Sequence, residues 1–342
     1  MKRWLALLLT AATAFSAAAC GSAEDFAEVS TELNILMPEA YISETLIADF
    51  EAENNCTVKL SYMNDRTDRY QVLMEGGSDY DLVMTDDGYL ASLIDEDCLY
   101  KFKHNDLANT SNINDAFWSS KSYCIPYLMN YIYVLYDSAE CPVKITKWSD
   151  LLNSELQGKI AVSEGERERL MMALAALKYA PNSVEGDEIE AAYEWLMKLD
   201  ENVAVYGDVK DAMLDGTVSV AVTSDRDAAE IMAKKKTVKI APFAKDKVRV
   251  EVDLFVIPAE AEHLDLAEKF LNMICDPEVM AANLEEYPYS CPNEVALALV
   301  SEGYHKKAER KFDYQENVYF RKNVSQAADI YELYCVKLKN AE

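Results

Sequence analysis

Asp253 sits inside the strand-like run Val250 to Ile257, which Pro258 stops. A carboxylate in a buried strand is costly unless a cation meets it. Two readings stay open: the cation belongs to a ligand, or it is the protein's own, in a salt bridge at a hinge. A second acidic feature, Thr85-Asp86-Asp87-Gly88, ends the buried run Asp81 to Met84. It is either a ligand loop or a helix-capping turn with solvated acids. Little else suggests bond-making chemistry. His104, His263 and His305 lie far apart, and no nucleophile motif, phosphate loop or HExxH pattern is present. None of the eight cysteines forms a CxxC or Cys/His cluster, so neither a zinc site nor another cofactor is called for.

The elements that must position these acids alternate in type. Leu33 to Leu36 reads as a strand, and Ser43 caps a helix with Leu46, Ile47 and Phe50 on one face. Thr57 to Tyr62 is a strand, and Arg66 to Glu75 a helix stopped by Gly76-Gly77. With Asp81 to Met84 this makes parallel pairing with right-handed crossovers, and ligands of such sheets sit beyond the strands' carboxyl ends. Tyr123 to Tyr136 is a long run that can cross between two bodies, broken early by Pro126. A second α/β set follows, with strands at Lys159 to Val162, Val203 to Val205 and Val218 to Val222. Helices are expected at Glu166 to Tyr179, Glu188 to Leu199, Val209 to Leu214 and Asp225 to Ala233. Lys234-Lys235-Lys236 reads as a helix-end patch that satisfies carbonyls. Val250 to Ile257 carries the chain back, and helices follow at Leu264 to Ile274, Pro277 to Glu285, Glu294 to Val300 and Val324 to Leu338. The expected architecture is two α/β lobes of mixed sheets flanked by helices, with a hinge between them. The boundaries place 33–130 and 256–303 in one lobe, and 131–255 and 304–342 in the other.

Of 342 residues, 50% are hydrophobic and the net charge is -27. Such a surface repels nucleic acid and anionic lipid, and it attracts cations. Met1-Lys2-Arg3, the apolar stretch to Ala19 and Cys20-Gly21-Ser22 look like a signal peptide, residues 1–19, ending in a bacterial lipobox. Cys20 is then the lipidated residue and 20–32 a linker, which expects a soluble body tethered on the extracytoplasmic face of the cell membrane. Seven further cysteines are an odd number, and free, half-buried thiols are preferred over an unassignable disulfide pattern.

Several runs, in order, resemble the spermidine/putrescine-binding proteins of bacterial ABC importers. They are Pro38-Glu39-Ala40-Tyr41-Ile42, Tyr80-Asp81-Leu82-Val83, Ile125-Pro126-Tyr127, Trp148-Ser149-Asp150-Leu151-Leu152 with Leu156-Gln157-Gly158-Lys159-Ile160, and Glu188 to Tyr193. Asp253-Leu254-Phe255-Val256-Ile257-Pro258, Tyr289-Ser290-Cys291-Pro292-Asn293 and Ile330 to Tyr334 complete them, over roughly 33 to 338. The resemblance implies a type II periplasmic-binding clamshell that does no chemistry of its own. It also implies an ABC permease and its ATPase as partners, and a polyamine as ligand. A polyamine needs acids for its ammonium groups and rings for its methylenes. By position, the resemblance puts Tyr41, Asp86, Glu168, Asp253 and Tyr289 at the ligand. Pro38, Thr223 and Glu251 stand where the family often has Trp, Gly88 replaces another aromatic, and Gly165 replaces an acid. The expected pocket has therefore lost rings and gained acids, with Arg167, Arg169 and Arg226 available to neutralise some of them. The expected state is a monomer. The alternatives are the same clamshell with another small polar solute, cation or anion, a secreted α/β enzyme, and a surface sensor without transport.

Overall fold

The structure, a computed structural model, describes residues 31–163, 165–243, 246–304, 318–322 and 324–341. The leader, Cys20 and the linker to residue 30 lie outside the described residues, as does part of the second proposed lobe. β1 (Thr31–Met37) buries Leu33, Ile35, Leu36 and Met37 at the centre of the first half of the sheet. Ser43 caps α1 (Glu44–Asn54) by accepting from the Thr45 N–H, and the helix buries Leu46, Ile47 and Phe50, as its spacing expects. β2 (Cys56–Tyr62) pairs parallel with β1 along its whole length. Asp65 caps α2 (Arg66–Met74), and the chain reverses at Gly76 and Gly77, both at positive φ. β3 (Leu82–Asp86) pairs parallel with the other side of β1, and all five of its residues are buried. It runs two residues further than the sequence reading, because Asp86 keeps its place in the ladder opposite Asp253. α3 (Leu90–Asp95) follows.

β4 (Ile125–Asp137) and β9 (Val248–Val256) join the two halves of the sheet. β4 pairs antiparallel with β9 through Ile125 to Tyr131, then with β7 (Val220–Ser224) through Ile132 to Tyr136. The register shifts between Pro126 and Leu128, where proline removes a donor. In the second half, β5 (Ile160–Val162) lies between β6 (Val203–Tyr206) and β7, parallel to both. The strand order is β2-β1-β3-β9-β4-β7-β5-β6, with β8 (Val238–Ile240) on β4 and β10 (Val318–Tyr319) on β9. The expected separate sheets are thus one hydrogen-bonded path. The cause is the length of β4, whose 13 residues extend for about 43 Å and serve both halves in turn.

Helices α4 (Glu166–Ala176), α5 (Gly186–Asp200), α6 (Val209–Asp215) and α7 (Asp225–Lys234) flank the second half. α8 (Leu264–Ile274), α9 (Pro277–Glu286) and α10 (Glu294–Leu299) cover the first, and α11 (Ala328–Lys339) packs on α4 and α5. The lysine run ends α7 as expected: Lys235 donates to the Met213 carbonyl and Lys236 to that of Met232. Short 3-10 turns between His104 and Phe117, and the strands β8 and β10, escaped the sequence reading because two to five residues carry no period. Among the described residues, Cys56, Cys98, Cys124, Cys141, Cys275, Cys291 and Cys335 form no disulfide with one another.

Candidate functional site

The carboxyl end of β3 meets the middle of β9 with Asp86 and Asp253 as register partners. Side chains two apart on a strand share a face, so Arg249, Glu251 and Asp253 project together. A cleft of about 420 Å³ opens there, lined by Tyr41, Arg66, Asp86, Asn130, Glu251 and Asp253. The start of α7 closes its far side with Ser224, Arg226 and Asp227. Tyr41 follows a turn in which Ala40 takes a left-handed φ of 63°. Its backbone is pinned, because its carbonyl accepts from the Tyr127 hydroxyl at 2.9 Å and from Asn283 Nδ2 at 3.0 Å. Its ring lies 5.0 Å from that of Tyr289. Tyr289 belongs to an adjoining cavity of about 240 Å³, shared through Arg226 and lined also by Tyr287, Pro288 and Asp225. A larger groove of about 800 Å³ lies elsewhere, against α1, α8 and α9, and shares no residue with the acids.

Asp253 is 5% exposed, and its Oδ2 accepts from Asn130 Nδ2 at 2.9 Å. Among the described residues no cation forms an ion pair with it. Burial, then the neighbouring Glu251, push its carboxyl well above the usual carboxylate range, against the opposing pull of Arg69. Asp86 is raised as well, by burial and Glu251, although Arg66 and Arg321 oppose them. Glu168 behaves oppositely. Burial pushes it up, but Arg249, Arg321 and Arg66 together outweigh burial and hold it at about 2. Arg321 Nη1 is 2.7 Å from Glu168 Oε1, with Arg66 Nη2 at 3.8 Å and Arg249 Nη2 at 3.9 Å. Glu251 is also lowered on balance, because Arg66 and Arg249 outweigh its burial. Arg66 pairs with Glu251, and its Nη1 lies 3.8 Å from Asp86 Oδ2.

The structure thus brings Tyr41, Asp86 and Asp253 to one cleft, with the ring of Tyr289 tilted against that of Tyr41. Glu168 is 3% exposed and sits behind the cleft inside the arginine cluster, not on its lining. The arginines nearest these acids are Arg66, Arg249 and Arg321. Arg226 is at the rim. Arg167 and Arg169 lie over the rings of Tyr331 and Tyr206, at 3.8 and 4.3 Å. Gly88 leaves room that Arg321 takes, since a Cβ there would stand 2.8 Å from its side chain. Sequence reasoning missed Arg66, Asn130, Arg249 and Arg321. For Arg249 the signal was available: it is two residues from Glu251 and four from Asp253 in a strand. Among the described residues no group of three or more His, Cys, Asp or Glu side chains is arranged to hold a metal, and no helix is long and apolar enough to cross a membrane.

A parallel βαβ half-sheet, two antiparallel linking strands and a charged cleft beyond the strand ends define a two-lobed binding protein. The chain belongs to the bacterial extracellular solute-binding protein family, whose model matches residues 45–311. It is 28% identical over 353 residues to the spermidine/putrescine-binding periplasmic protein of Escherichia coli (strain K12), covering 99% of each chain. Among solved structures it resembles a putative spermidine/putrescine ABC transporter from Listeria monocytogenes, with a TM-score of 0.76 at 25% identity, covering 92% of this chain and all of that one. The spermidine/putrescine ABC transporter substrate-binding protein PotD from Streptococcus pneumoniae gives 0.77 at 23%, over 90% and 100%. The fold is the type II periplasmic-binding clamshell.

Proposed function

We propose that this chain is the extracytoplasmic receptor of an ABC importer for a polyamine of the spermidine or putrescine kind. The observation that carries the reading is Asp253: a buried cleft carboxylate, faced by Asp86 and Tyr41, that forms no ion pair among the described residues although Arg69 lines the same cleft. An ammonium group supplies that ion pair as a charge-assisted hydrogen bond. The rings of Tyr41 and Tyr289 cover the methylenes and add cation–π attraction. The similarity along 99% of the chain to a relative named for spermidine and putrescine supports the same ligand class. The role needs no bond-making step. The closed, loaded chain docks on its permease as a monomer.

In this reading, 33–130 with 256–303 form one lobe and 131–255 with 304–342 the other, and β4 and β9 carry the hinge. Binding draws the lobes together. Small-angle scattering of residues 21–342 with saturating putrescine should give a smaller radius of gyration than the free protein. Identical profiles, with binding proven by calorimetry, would reject closure. Lipidation of Cys20 anchors the receptor beside its permease. Cys20→Ser should move the protein out of the membrane fraction or stall removal of the leader. Membrane retention with normal leader removal would exclude the anchor.

A further inference from the structure

The acids beside Asp253 already hold a cation of the protein's own. Arg66, in the first turn of α2, pairs with Glu251 and lies 3.8 Å from both Asp86 and Glu168. Arg249 and Arg321 sit behind it: Arg249 is 3.3 Å from Glu251, and Arg321 is 2.7 Å from Glu168. Asp86, Glu168 and Glu251 therefore face three guanidinium groups, with the buried Asp87 beside them accepting from the Arg321 N–H at 3.1 Å, and the cluster already holds three cations without a ligand. The three arginines are not equivalent. Arg249 is 2% exposed in its side chain and Arg321 21%, against 32% for Arg66. Arg66 is also the one of the three that lines the cleft, next to Asp253. It stands where a ligand cation aimed at Asp86 and Glu251 would go.

We propose that Arg66 is a specificity-determining residue, a tethered cation that fills one ammonium subsite of the cleft and leaves Asp253 as the acid open to the ligand. The proposal rests on the cleft being the amine site. Like charges in one desolvated cage repel, so a second ammonium must displace Arg66 before it can use Glu251 and Asp86. A ligand that needs one buried acid meets no such competitor. The wild-type chain therefore discriminates against an amine that brings a second ammonium group to this subsite, and removing Arg66 relieves that discrimination. A lysine in its place keeps a tethered cation.

The test is calorimetric titration of wild type, Arg66→Ala and Arg66→Lys with butylamine and putrescine, which carry one and two ammonium groups on the same four-carbon chain. The ratio of putrescine to butylamine affinity should rise about tenfold in Arg66→Ala, the worth of one further charge-assisted contact, and should stay near wild type in Arg66→Lys. A ratio that is unchanged or lower in Arg66→Ala would overturn the proposal. A second arm needs no amine. Methylguanidinium chloride should raise the melting temperature of Arg66→Ala, but not that of wild type, above the effect of sodium chloride at equal ionic strength. If no variant binds either amine yet methylguanidinium stabilises Arg66→Ala alone, the polyamine reading fails and the filled cage stands. If methylguanidinium treats both proteins alike, the cage itself is refuted.

Discussion

Asp253→Asn should weaken amine binding about a hundredfold or more while leaving the free protein as stable as wild type, or slightly more stable. The first effect follows because truncating one partner of a buried charge pair costs roughly 3–5 kcal/mol. The second follows from the environment of Asp253 before any ligand arrives. Its carboxyl is buried, accepts from Asn130 and is pushed well above the usual range by burial and Glu251. A carboxyl whose folded pKa is raised costs stability when ionised; that cost is full above the raised value, shrinks as pH falls below it and is gone below the ordinary carboxylate value. The asparagine keeps the shape and removes the cost. The amine needs the carboxylate, so affinity should fall on acidification through the same range. A hinge salt bridge predicts the reverse: a clear loss of melting temperature with little change in affinity. Calorimetry and thermal unfolding on the two proteins separate these outcomes.

Glu168→Gln should instead destabilise the fold. Glu168 is almost fully buried and answers Arg321, Arg249 and Arg66 at once. Neutralising it removes a carboxylate that all three guanidinium groups share, and breaking a buried ion cluster in this way costs roughly 3–5 kcal/mol. The melting temperature should drop by about 5–10 °C. The pH dependence has the opposite sign to that of Asp253. Glu168 is held at about 2 against an ordinary 4.5, so its stabilisation is present above 4.5 and is lost as pH falls towards 2. Acid unfolding of wild type should show this loss, and Glu168→Gln should lack it. A variant that melts with wild type across this range would show that the cluster contributes nothing to the fold.

The contrast between these two acids marks what could be read from the chain alone. Asp253 was legible because it breaks the pattern of a strand, and a carboxylate among valines needs a partner. The alternation of β1, α1, β2, α2 and β3 was legible from period and caps, including Ser43 before α1 and the glycine pair after α2. Asp86 was placed near the site by topology, although it proved to be the last residue of a strand and not part of a turn. The arginine cluster was not legible. Arg66 comes from α2, Arg249 from β9 and Arg321 from the segment after β10, and no local pattern says that three such distant residues meet one glutamate. Glu168 looked like a ligand acid by resemblance, and only the fold shows how many charges it already answers. The arginines flanking it in sequence were the natural candidates, yet the spacing of α4 turns them to Tyr331 and Tyr206.

The central claim is that the cleft at Asp253 takes a cationic amine. Calorimetric titration of wild-type residues 21–342 with putrescine, beside its uncharged counterpart 1,4-butanediol, tests it most directly. The account predicts saturable binding of putrescine that weakens as pH falls, and no binding of the diol. Absence of heat with putrescine at millimolar concentration, or equal binding of the two, would contradict it.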